Sequence, residues 1–190
     1  MAEQMDPWKG RRGDVNSFAL VSYISDPLAE FLNRLRCDLV PDCVAKAHVT
    51  ILPPRPLTSS PEDAWHELQQ GLHDFQPFRV ELTEIAIFPG FQALYLSIGA
   101  GRPELERMHA ALDTGHLACE EPFKYYPHVT LAQDLAPQEL AAARELAAAR
   151  WREFPHSRGF TLDKLTFVQN TLGNRWIDLA DADLASHVRM

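Results

Sequence analysis

The sequence predicts a mixed fold of strands and helices in which one supersecondary unit occurs twice. The first observation is a duplicated tetrapeptide, HVTI at 48–51 and HVTL at 128–131. The second is a proline near the start of the helical pattern that follows each copy, Pro61 after the first and Pro137 after the second. The third is the order strand, helix, HVT strand, helix, strand, which each half of the chain contains. Self-similarity of this kind indicates a repeated structural unit.

The first half begins with a strand and a helix. Residues 17–24 (SFALVSYI) are apolar, β-branched and aromatic, which predicts a strand. Residues 27–36 place leucines and a phenylalanine at helical spacing and predict a helix. The HVT strand follows, and we expect it to end at Pro53 and Pro54, because proline has no amide to donate within a sheet.

The next segment has the composition of a well-defined helix start. Residues 59–75 contain Ser60, which can cap the helix, and Pro61, which suits its first turn. A strand is predicted over 78–89, where apolar and polar residues partly alternate.

The second half repeats this order. It predicts strands over 93–99, HVTLA, 160–170 and 175–180, and helices over 102–115 and 137–154. The last strand has no counterpart in the first half.

Length and composition indicate one folded domain. The chain has 190 residues, of which 46% are apolar, enough for a substantial core. We expect residues 1–15 to form a polar, disordered lead and residues 16–190 to form a single domain.

The formal net charge of −8 argues against binding long nucleic acids by phosphate neutralisation, although a small basic pocket for one phosphate is compatible with it.

The cysteines and the first residues of the chain indicate where in the cell the protein is expected. Three cysteines, none in a C-x-x-C arrangement, argue against a disulfide framework or a zinc site and favour free thiols in a reducing compartment. No apolar run reaches the length of about 18 residues that a membrane span requires, and the first residues are polar and charged. We therefore expect a cytoplasmic protein with no membrane association.

The HVT strands present two polar side chains on one face. Side chains alternate along a strand, so His48 and Thr50 share a face while the aliphatic residues beside them face the core. The same holds for His128 and Thr130. If the two units pack around a pseudo-two-fold axis, both pairs meet in one cleft.

This set of residues suits phosphoester chemistry without a metal. One imidazole can accept a proton from the attacking oxygen while the other gives a proton to the leaving oxygen. Threonine hydroxyls can donate hydrogen bonds to the non-bridging phosphate oxygens. A single H-x-T is commonly structural, but packing gives no reason to keep both polar residues in both copies.

Two alternatives to an enzyme remain. One is a binding module that holds a nucleotide or an RNA end without chemistry, and the other is a scaffold that merely retains the repeat.

The paired motifs HVTI and HVTL, and the stretch YYPHVTLAQD, resemble the 2H phosphoesterases of the bacterial 2′-5′ RNA ligase and cyclic phosphodiesterase type. The resemblance covers about residues 17 to 180. It implies an α+β fold, bilobal and pseudo-two-fold, with antiparallel sheets lining a central groove and helices outside. It also implies a metal-independent enzyme without a cofactor, which acts on a small nucleotide cyclic phosphate, a 2′-5′ link or an RNA terminus.

The family's catalytic residues correspond to His48, Thr50, His128 and Thr130. Some RNA-ligase-like members carry an arginine three residues after the second threonine, where this chain has Gln133. This difference argues against RNA ligation and against a highly charged RNA substrate. We expect a monomer without a protein partner, and the pseudo-symmetry leaves open which histidine is the base.

Four further residues are candidates for substrate binding. Lys46 lies two residues before His48 and can meet a phosphate, although a solvated lysine is the ordinary alternative. Tyr126 can stack on a base, and the resemblance implies that Phe18 lines the groove, although core packing is the alternative for both. Arg175 can neutralise a second phosphate, as can Arg55, although both also fit ordinary surface arginines.

Overall fold

The structure is a computed structural model that describes residue 8 and residues 13–41, 43–44 and 46–184. Its helices are α1 (Leu28–Leu39), α2 (Pro61–Leu72), α3 (Arg102–Leu112) and α4 (Leu140–Glu153). Its strands are β1 (Asp14–Tyr23), β2 (His48–Arg55), β3 (Phe78–Ile87), β4 (Leu94–Ile98), β5 (His128–Ala132), β6 (Gly159–Leu162), β7 (Lys164–Thr171) and β8 (Trp176–Asp183). Within these described ranges, no helix is both long and apolar enough to cross a membrane.

The strands form two antiparallel sheets of four strands each. The first sheet has the order β2-β1-β7-β8 and the second has the order β5-β4-β3-β6. The HVT strands β2 and β5 therefore hold the same place, at an edge of each sheet. The α+β fold with antiparallel sheets that the sequence predicts is confirmed.

The two halves of the chain exchange elements between the sheets. α1 packs against β5 and α4 on the second sheet, although it lies in sequence between two strands of the first sheet. α3 packs against β2 and α2 on the first sheet, although it lies between β4 and β5. We call the first sheet with α2 and α3 lobe A, and the second sheet with α1 and α4 lobe B.

One hydrophobic core joins the two lobes. It contains the aliphatic residues of both HVT strands, and Val49, Ile51, Val129 and Leu131 are each at most 1% exposed. The histidines and threonines between them are half-buried on the opposite face. The alternation expected of a strand with one buried face is thus present in both copies.

The first HVT strand continues through its prolines, which corrects the predicted end. β2 extends to Arg55, and the Cα atom of Arg55 pairs with that of Phe18 on β1. An edge strand has one side without sheet partners, so proline can lie within it without removing a ladder hydrogen bond.

The predicted strand over 160–170 is two strands in different sheets. β6 pairs with β3 in lobe B, and β7 pairs with β1 and β8 in lobe A. The chain passes between the lobes at Asp163, whose carbonyl accepts a hydrogen bond from the Leu184 amide at 2.7 Å. A continuous strand-like pattern does not reveal this change of sheet, because both segments have the alternation of a half-buried strand.

The helix starts differ in how well the sequence predicts them. Ser60 caps α2 as predicted, because its hydroxyl oxygen accepts from the Asp63 amide at 3.1 Å. α4 begins only at Leu140, well beyond Pro137. Residues 1–7 and 9–12 of the predicted polar lead lie outside the described residues, and β1 already begins at Asp14.

Candidate active site

Edge strands β2 and β5 meet where the lobes join, which brings the HVT motifs together. The Tyr125 hydroxyl, just before β5, donates to the Thr50 carbonyl on β2 at 2.8 Å. Arg36 on α1 donates from Nη1 to the Thr130 carbonyl at 2.7 Å. These bonds occupy edge carbonyls that the sheets leave without a strand partner.

Both motif imidazoles make the same backbone hydrogen bond. Nδ1 of His48 lies 2.6 Å from the Lys46 carbonyl, and Nδ1 of His128 lies 2.7 Å from the Tyr126 carbonyl. A carbonyl only accepts, so each Nδ1 carries the proton and each Nε2 is left as the atom that exchanges protons. The duplication has therefore preserved the tautomer as well as the residue.

Both imidazoles favour the neutral form. Burial lowers the pKa of His48, and the nearby Arg36 and His128 lower it further, while the hydrogen bond to Lys46 opposes the change. Burial also lowers the pKa of His128, against the hydrogen bond to Tyr126. The influence of His128 on His48 indicates that the two rings lie within electrostatic reach of each other.

The hydroxyl in the second motif contacts its own histidine. Thr130 Oγ1 lies 3.2 Å from His128 Nε2, so the hydroxyl can donate to the neutral imidazole. A phosphate oxygen that arrived here would offer this hydroxyl another acceptor.

Lobe A surrounds His48 with ionic and polar groups. The edge of the Tyr23 ring faces the His48 ring, with centroids 6.3 Å apart, and its hydroxyl donates to Asp178 at 2.5 Å. Lys46 lies over the Tyr23 ring and 3.7 Å from the Asp178 carboxylate. The predicted binding residue Lys46 is thus exposed beside His48, with an acidic neighbour.

Lobe B surrounds His128 with aromatic rings. Phe88 and Tyr95 meet the imidazole edge to face, with centroids 4.7 and 5.6 Å away. Tyr126 packs against both rings, and the Arg102 guanidinium lies 4.5 Å from its centre. The predicted binding residue Tyr126 is half-buried in this group, so it lies close to His128.

Two predicted binding residues lie away from the imidazoles. Phe18 is 3% exposed in the core and stacks on Phe167 at 5.5 Å, so it lies on the face that packs against the helices. Arg175 lies in the turn between β7 and β8, at the Asp14 end of β1. His48 pairs with Tyr23 at the other end of β1, about 30 Å away at the usual rise of a strand. The structure argues against both assignments.

Arg55 is a buried residue rather than the surface arginine that the sequence suggested. It is 2% exposed, and its guanidinium donates to Asp113 at 2.5 Å, to the Leu117 carbonyl at 2.7 Å and to Glu121. Position 55 follows two prolines, and nothing in that local pattern indicates an acidic partner 58 residues further along the chain.

His109, Asp113 and Glu121 have the composition of a metal site, with ligand atoms within 4.8 Å of one another. Arg55 lies between the two carboxylates and already neutralises them, so a cation would have to displace a buried guanidinium. We interpret the cluster as a structural ion-pair network that supports the end of β2.

Comparison with known proteins gives one family match and several structural matches. The profile of the 2′-5′ RNA ligase superfamily matches residues 24–174. A crystal structure of Escherichia coli LigT complexed with 3′-AMP aligns at 13% identity and a TM-score of 0.62, over 90% of this chain and 99% of that chain. A structure of Kluyveromyces marxianus Usb1 aligns at 15% identity and a TM-score of 0.56, over 86% of this chain and 97% of that chain.

A crystal structure described as a phosphoesterase aligns at 13% identity and a TM-score of 0.62, over 90% of this chain and 99% of that chain. A search of curated proteins gives no match. At these identities the structural matches concern the fold.

Proposed function

Because the chain belongs to the 2′-5′ RNA ligase superfamily of 2H phosphoesterases, which supports a phosphodiesterase-type enzyme, we propose that it hydrolyses 2′,3′-cyclic phosphates or 2′-5′ phosphodiester bonds of nucleotides or RNA ends. The proposed catalytic residues are His48, Thr50, His128 and Thr130, and the reaction uses no metal.

The observation that carries this proposal is the matched orientation of the two imidazoles. Each ring donates from Nδ1 to the carbonyl two residues earlier, at 2.6 and 2.7 Å, and each keeps Nε2 for proton exchange. A ring kept only for packing needs no fixed tautomer. Two fixed tautomers on adjoining edge strands are what an acid and a base on either side of one phosphorus atom require.

The proposed hydrolysis proceeds through one displacement at phosphorus. One Nε2 accepts a proton from water as the water oxygen bonds to phosphorus, and the P–O bond to one ribose oxygen breaks. The other Nε2, protonated beforehand, gives its proton to that ribose oxygen. Thr50 and Thr130 donate hydrogen bonds to the non-bridging oxygens, where negative charge increases in the transition state. The products are a phosphomonoester and a free ribose hydroxyl.

The surroundings of the imidazoles favour a short substrate. The aromatic rings beside His128, with Tyr126 among them, offer faces on which a nucleobase can stack. On the other side of the groove, Asp178 lies beside Lys46 and reduces the attraction of that wall for further phosphates. We therefore favour a nucleoside cyclic phosphate or a single RNA end over a long strand.

A substrate panel tests this function. Nucleoside 2′,3′-cyclic phosphates, 2′-5′ dinucleotides and 3′-5′ dinucleotides are incubated with the protein in EDTA, and the products are separated to identify the bond cleaved. We expect turnover of the first or second class, unaffected by EDTA. His48→Ala and His128→Ala are each expected to reduce the rate about 10²- to 10⁴-fold.

The outcomes separate an enzyme from a binding module. Full activity in both alanine variants would reject the two-histidine mechanism. Saturable binding of these nucleotides with no turnover from about pH 5 to about pH 8, the range in which histidine titrates, would support a binding module instead.

A further inference from the structure

The carbonyls of Thr50 and Thr130 hold equivalent places in the two motifs, and a side chain donates to each of them. Arg36 on α1 donates to the Thr130 carbonyl at 2.7 Å, so a helix of lobe B holds the motif of lobe B. The Tyr125 hydroxyl donates to the Thr50 carbonyl at 2.8 Å, so the motif of lobe A is held by the segment that leads into β5. Of these two bonds, only the second connects one motif strand with the segment before the other.

Tyr125 precedes the residue that orients the second imidazole. The Tyr126 carbonyl accepts the hydrogen bond from His128 Nδ1 at 2.7 Å. Because the Cα atoms of neighbouring residues are only about 3.8 Å apart, a displacement of Tyr125 also moves this carbonyl. The hydroxyl of Tyr125 therefore couples the place of Thr50 to the orientation of His128.

Helix α3 holds the Tyr125 ring from the side of lobe A. The His109 imidazole stacks on this ring, with centroids 3.9 Å apart and an angle of 3° between the planes. His109 Nδ1 donates to the Ile51 carbonyl of β2 at 2.8 Å. The two stacked rings thus each direct a polar atom to a carbonyl of the same motif strand, which restricts the rotation of both.

The segment that carries Tyr125 is held against lobe A at a second place. His109 Nε2 lies 3.7 Å from the Glu121 carboxylate, which accepts a hydrogen bond from Arg55 at the end of β2. Arg55 also donates to the Leu117 carbonyl at 2.7 Å. Contacts on both sides of the segment therefore fix the place from which the tyrosine hydroxyl reaches β2.

The sequence before the first motif has no counterpart of this tyrosine. At the offset that superimposes His128 on His48, Tyr125 corresponds to Ala45, and alanine has no side-chain donor. The duplication of the motif therefore does not by itself account for the tyrosine.

We propose that Tyr125 is a positioning residue for the reaction, whose hydrogen bond to the Thr50 carbonyl sets the distance between the motif strands and so between Nε2 of His48 and Nε2 of His128. This inference rests on the proposed function and adds a residue outside the two motifs. An acid and a base act on one phosphorus only from within hydrogen-bond reach of the atoms that exchange protons, so a small change in this distance reduces the rate.

The test uses Tyr125→Phe, which removes the hydroxyl and keeps the stacked ring. The substrate is the cyclic phosphate or 2′-5′ dinucleotide that the wild type turns over. We expect kcat to fall about 10-fold, since a displacement of about 1 Å can cost about 100-fold. We expect KM to change less than about 2-fold, because the lost interaction acts on the transition state and not on substrate binding. An unchanged kcat, or a rise in KM alone, would overturn the proposal.

Asn16→Ala is the matched control, because it also removes hydrogen bonds between distant segments. Asn16 Nδ2 donates to the Leu57 carbonyl at 3.0 Å, and Asn16 Oδ1 accepts from the Leu57 amide at 2.9 Å. Asn16 lies near the start of β1, whereas His48 pairs with Tyr23 at the end of that strand. The control should reduce the free energy of unfolding and leave kcat unchanged. Equal losses of kcat in Asn16→Ala and Tyr125→Phe would reveal a general effect of stability and overturn the proposal.

His109→Leu provides a second variant, which keeps the Tyr125 hydroxyl but removes the ring that holds it. We expect kcat to fall here too, with KM again changed little. The double variant with Tyr125→Phe should lose less than the product of the two single losses, because both residues act on the same strand. A loss equal to that product would contradict a common action on β2.

Crystal structures of the wild type and of Tyr125→Phe provide a readout that needs no substrate. We expect the distance between His48 Nε2 and His128 Nε2 to differ by about 0.5–1 Å, enough to impair catalytic geometry. If the wild type turns over no substrate, the proposed function fails while this comparison still tests the effect of Tyr125 on the distance. An unchanged distance would contradict the inference even in an active enzyme.

Discussion

The strands that carry His48 and His128 share a hydrogen-bond pattern but lie in different surroundings. Both rings donate from Nδ1 to the carbonyl two residues earlier, and a helix side chain hydrogen-bonds to one carbonyl of each motif strand. Lobe A places ionic groups around its histidine, whereas lobe B places aromatic rings around its own. The duplication has kept the ring atoms that would exchange protons and has changed the side chains that surround each ring.

This difference indicates how a symmetric fold can carry out an asymmetric reaction. Hydrolysis needs one neutral and one protonated imidazole at the same moment, and two identical sites would have no preference between the two arrangements. Surroundings that differ between the two rings, ionic in lobe A and aromatic in lobe B, can give such a preference.

The largest expected effect comes from removing the feature that the lobes share. His48→Asn and His128→Asn should each reduce kcat/KM on a cyclic phosphate about 10²- to 10⁴-fold, equivalent to about 3–5 kcal/mol. The double variant should lose little more than the less active single variant, because acid and base act as one unit. Steady-state rates of the three variants test this, and additive losses in the double variant would contradict a shared step.

The next effect concerns the ion-pair network that lobe A has around Arg55. Leu135 follows the second motif at the same distance as Arg55 follows the first, and this leucine packs on the core. Arg55→Leu should reduce the free energy of unfolding by about 3–5 kcal/mol, because it leaves two carboxylates without their buried partner. Urea unfolding measures this, with Arg34→Leu as the control.

Arg34 forms an exposed pair with Glu30, so its replacement should change the free energy of unfolding by less than about 1 kcal/mol. If Arg55→Leu and Arg34→Leu changed the free energy of unfolding by similar amounts, burial of the Arg55 ion pairs would not increase their contribution to stability.

The threonines provide a comparison in which the lobes should differ slightly. Thr50→Val and Thr130→Val each remove a proposed donor to phosphate and should reduce kcat about 10²- to 10³-fold. Thr130→Val also removes the contact to His128 Nε2, so it should in addition shift the limb of the pH profile that His128 sets. Serine at either position should restore most of the rate, and an unchanged rate in the valine variants would exclude the hydroxyls from the reaction.

The smallest expected effect is the pH dependence of stability that both lobes contribute. Burial lowers the pKa of both imidazoles in the folded protein, whereas in the unfolded chain histidine titrates near 6.5. As the pH falls from about 6.5 through the lower folded values, the unfolded chain binds more protons, so the free energy of unfolding decreases. Urea unfolding at about pH 7 and about pH 5 should show this.

The double variant His48→Gln with His128→Gln should lose this part of the pH dependence. Inorganic phosphate, an anion that favours protonated imidazoles, should also reduce the loss in the wild type. The contribution of other titrating residues is subtracted first. An equal free energy of unfolding at both pH values would then argue against buried neutral imidazoles.

The sequence predicted the elements and the pairing of the motifs because both depend on local pattern. Alternation along HVTI and HVTL places the polar residues on one face regardless of distant contacts. Ser60 was identifiable as a cap because its partner, Asp63, lies in the first turn of the same helix. The order of elements and the motifs also carried the resemblance that led to the antiparallel bilobal fold.

The sequence did not predict contacts between distant segments. Arg36 was not singled out and Arg55 fitted an ordinary surface arginine, yet their partners lie 94 and 58 residues away. Phe18 was expected in the groove because the resemblance points to the first strand, but the register of β1 places its ring on the core face. One pattern in the sequence could have drawn attention to Arg36. Aligning α1 with α3 matches Arg36 with His109, and each of these polar residues follows a buried apolar residue.

The exchange of helices and strands between the lobes restricts how the molecule can move. Following the chain from β1 to β7, the backbone passes from one lobe to the other on entering α1, β2, β3, α3, β5 and β7. Hinge opening usually requires that only a few linking residues change conformation. In this protein, six separate links would have to change conformation together. We therefore expect the distance between the two lobes to stay constant, and we expect a ligand to enter the cleft between them when side chains at its entrance rotate.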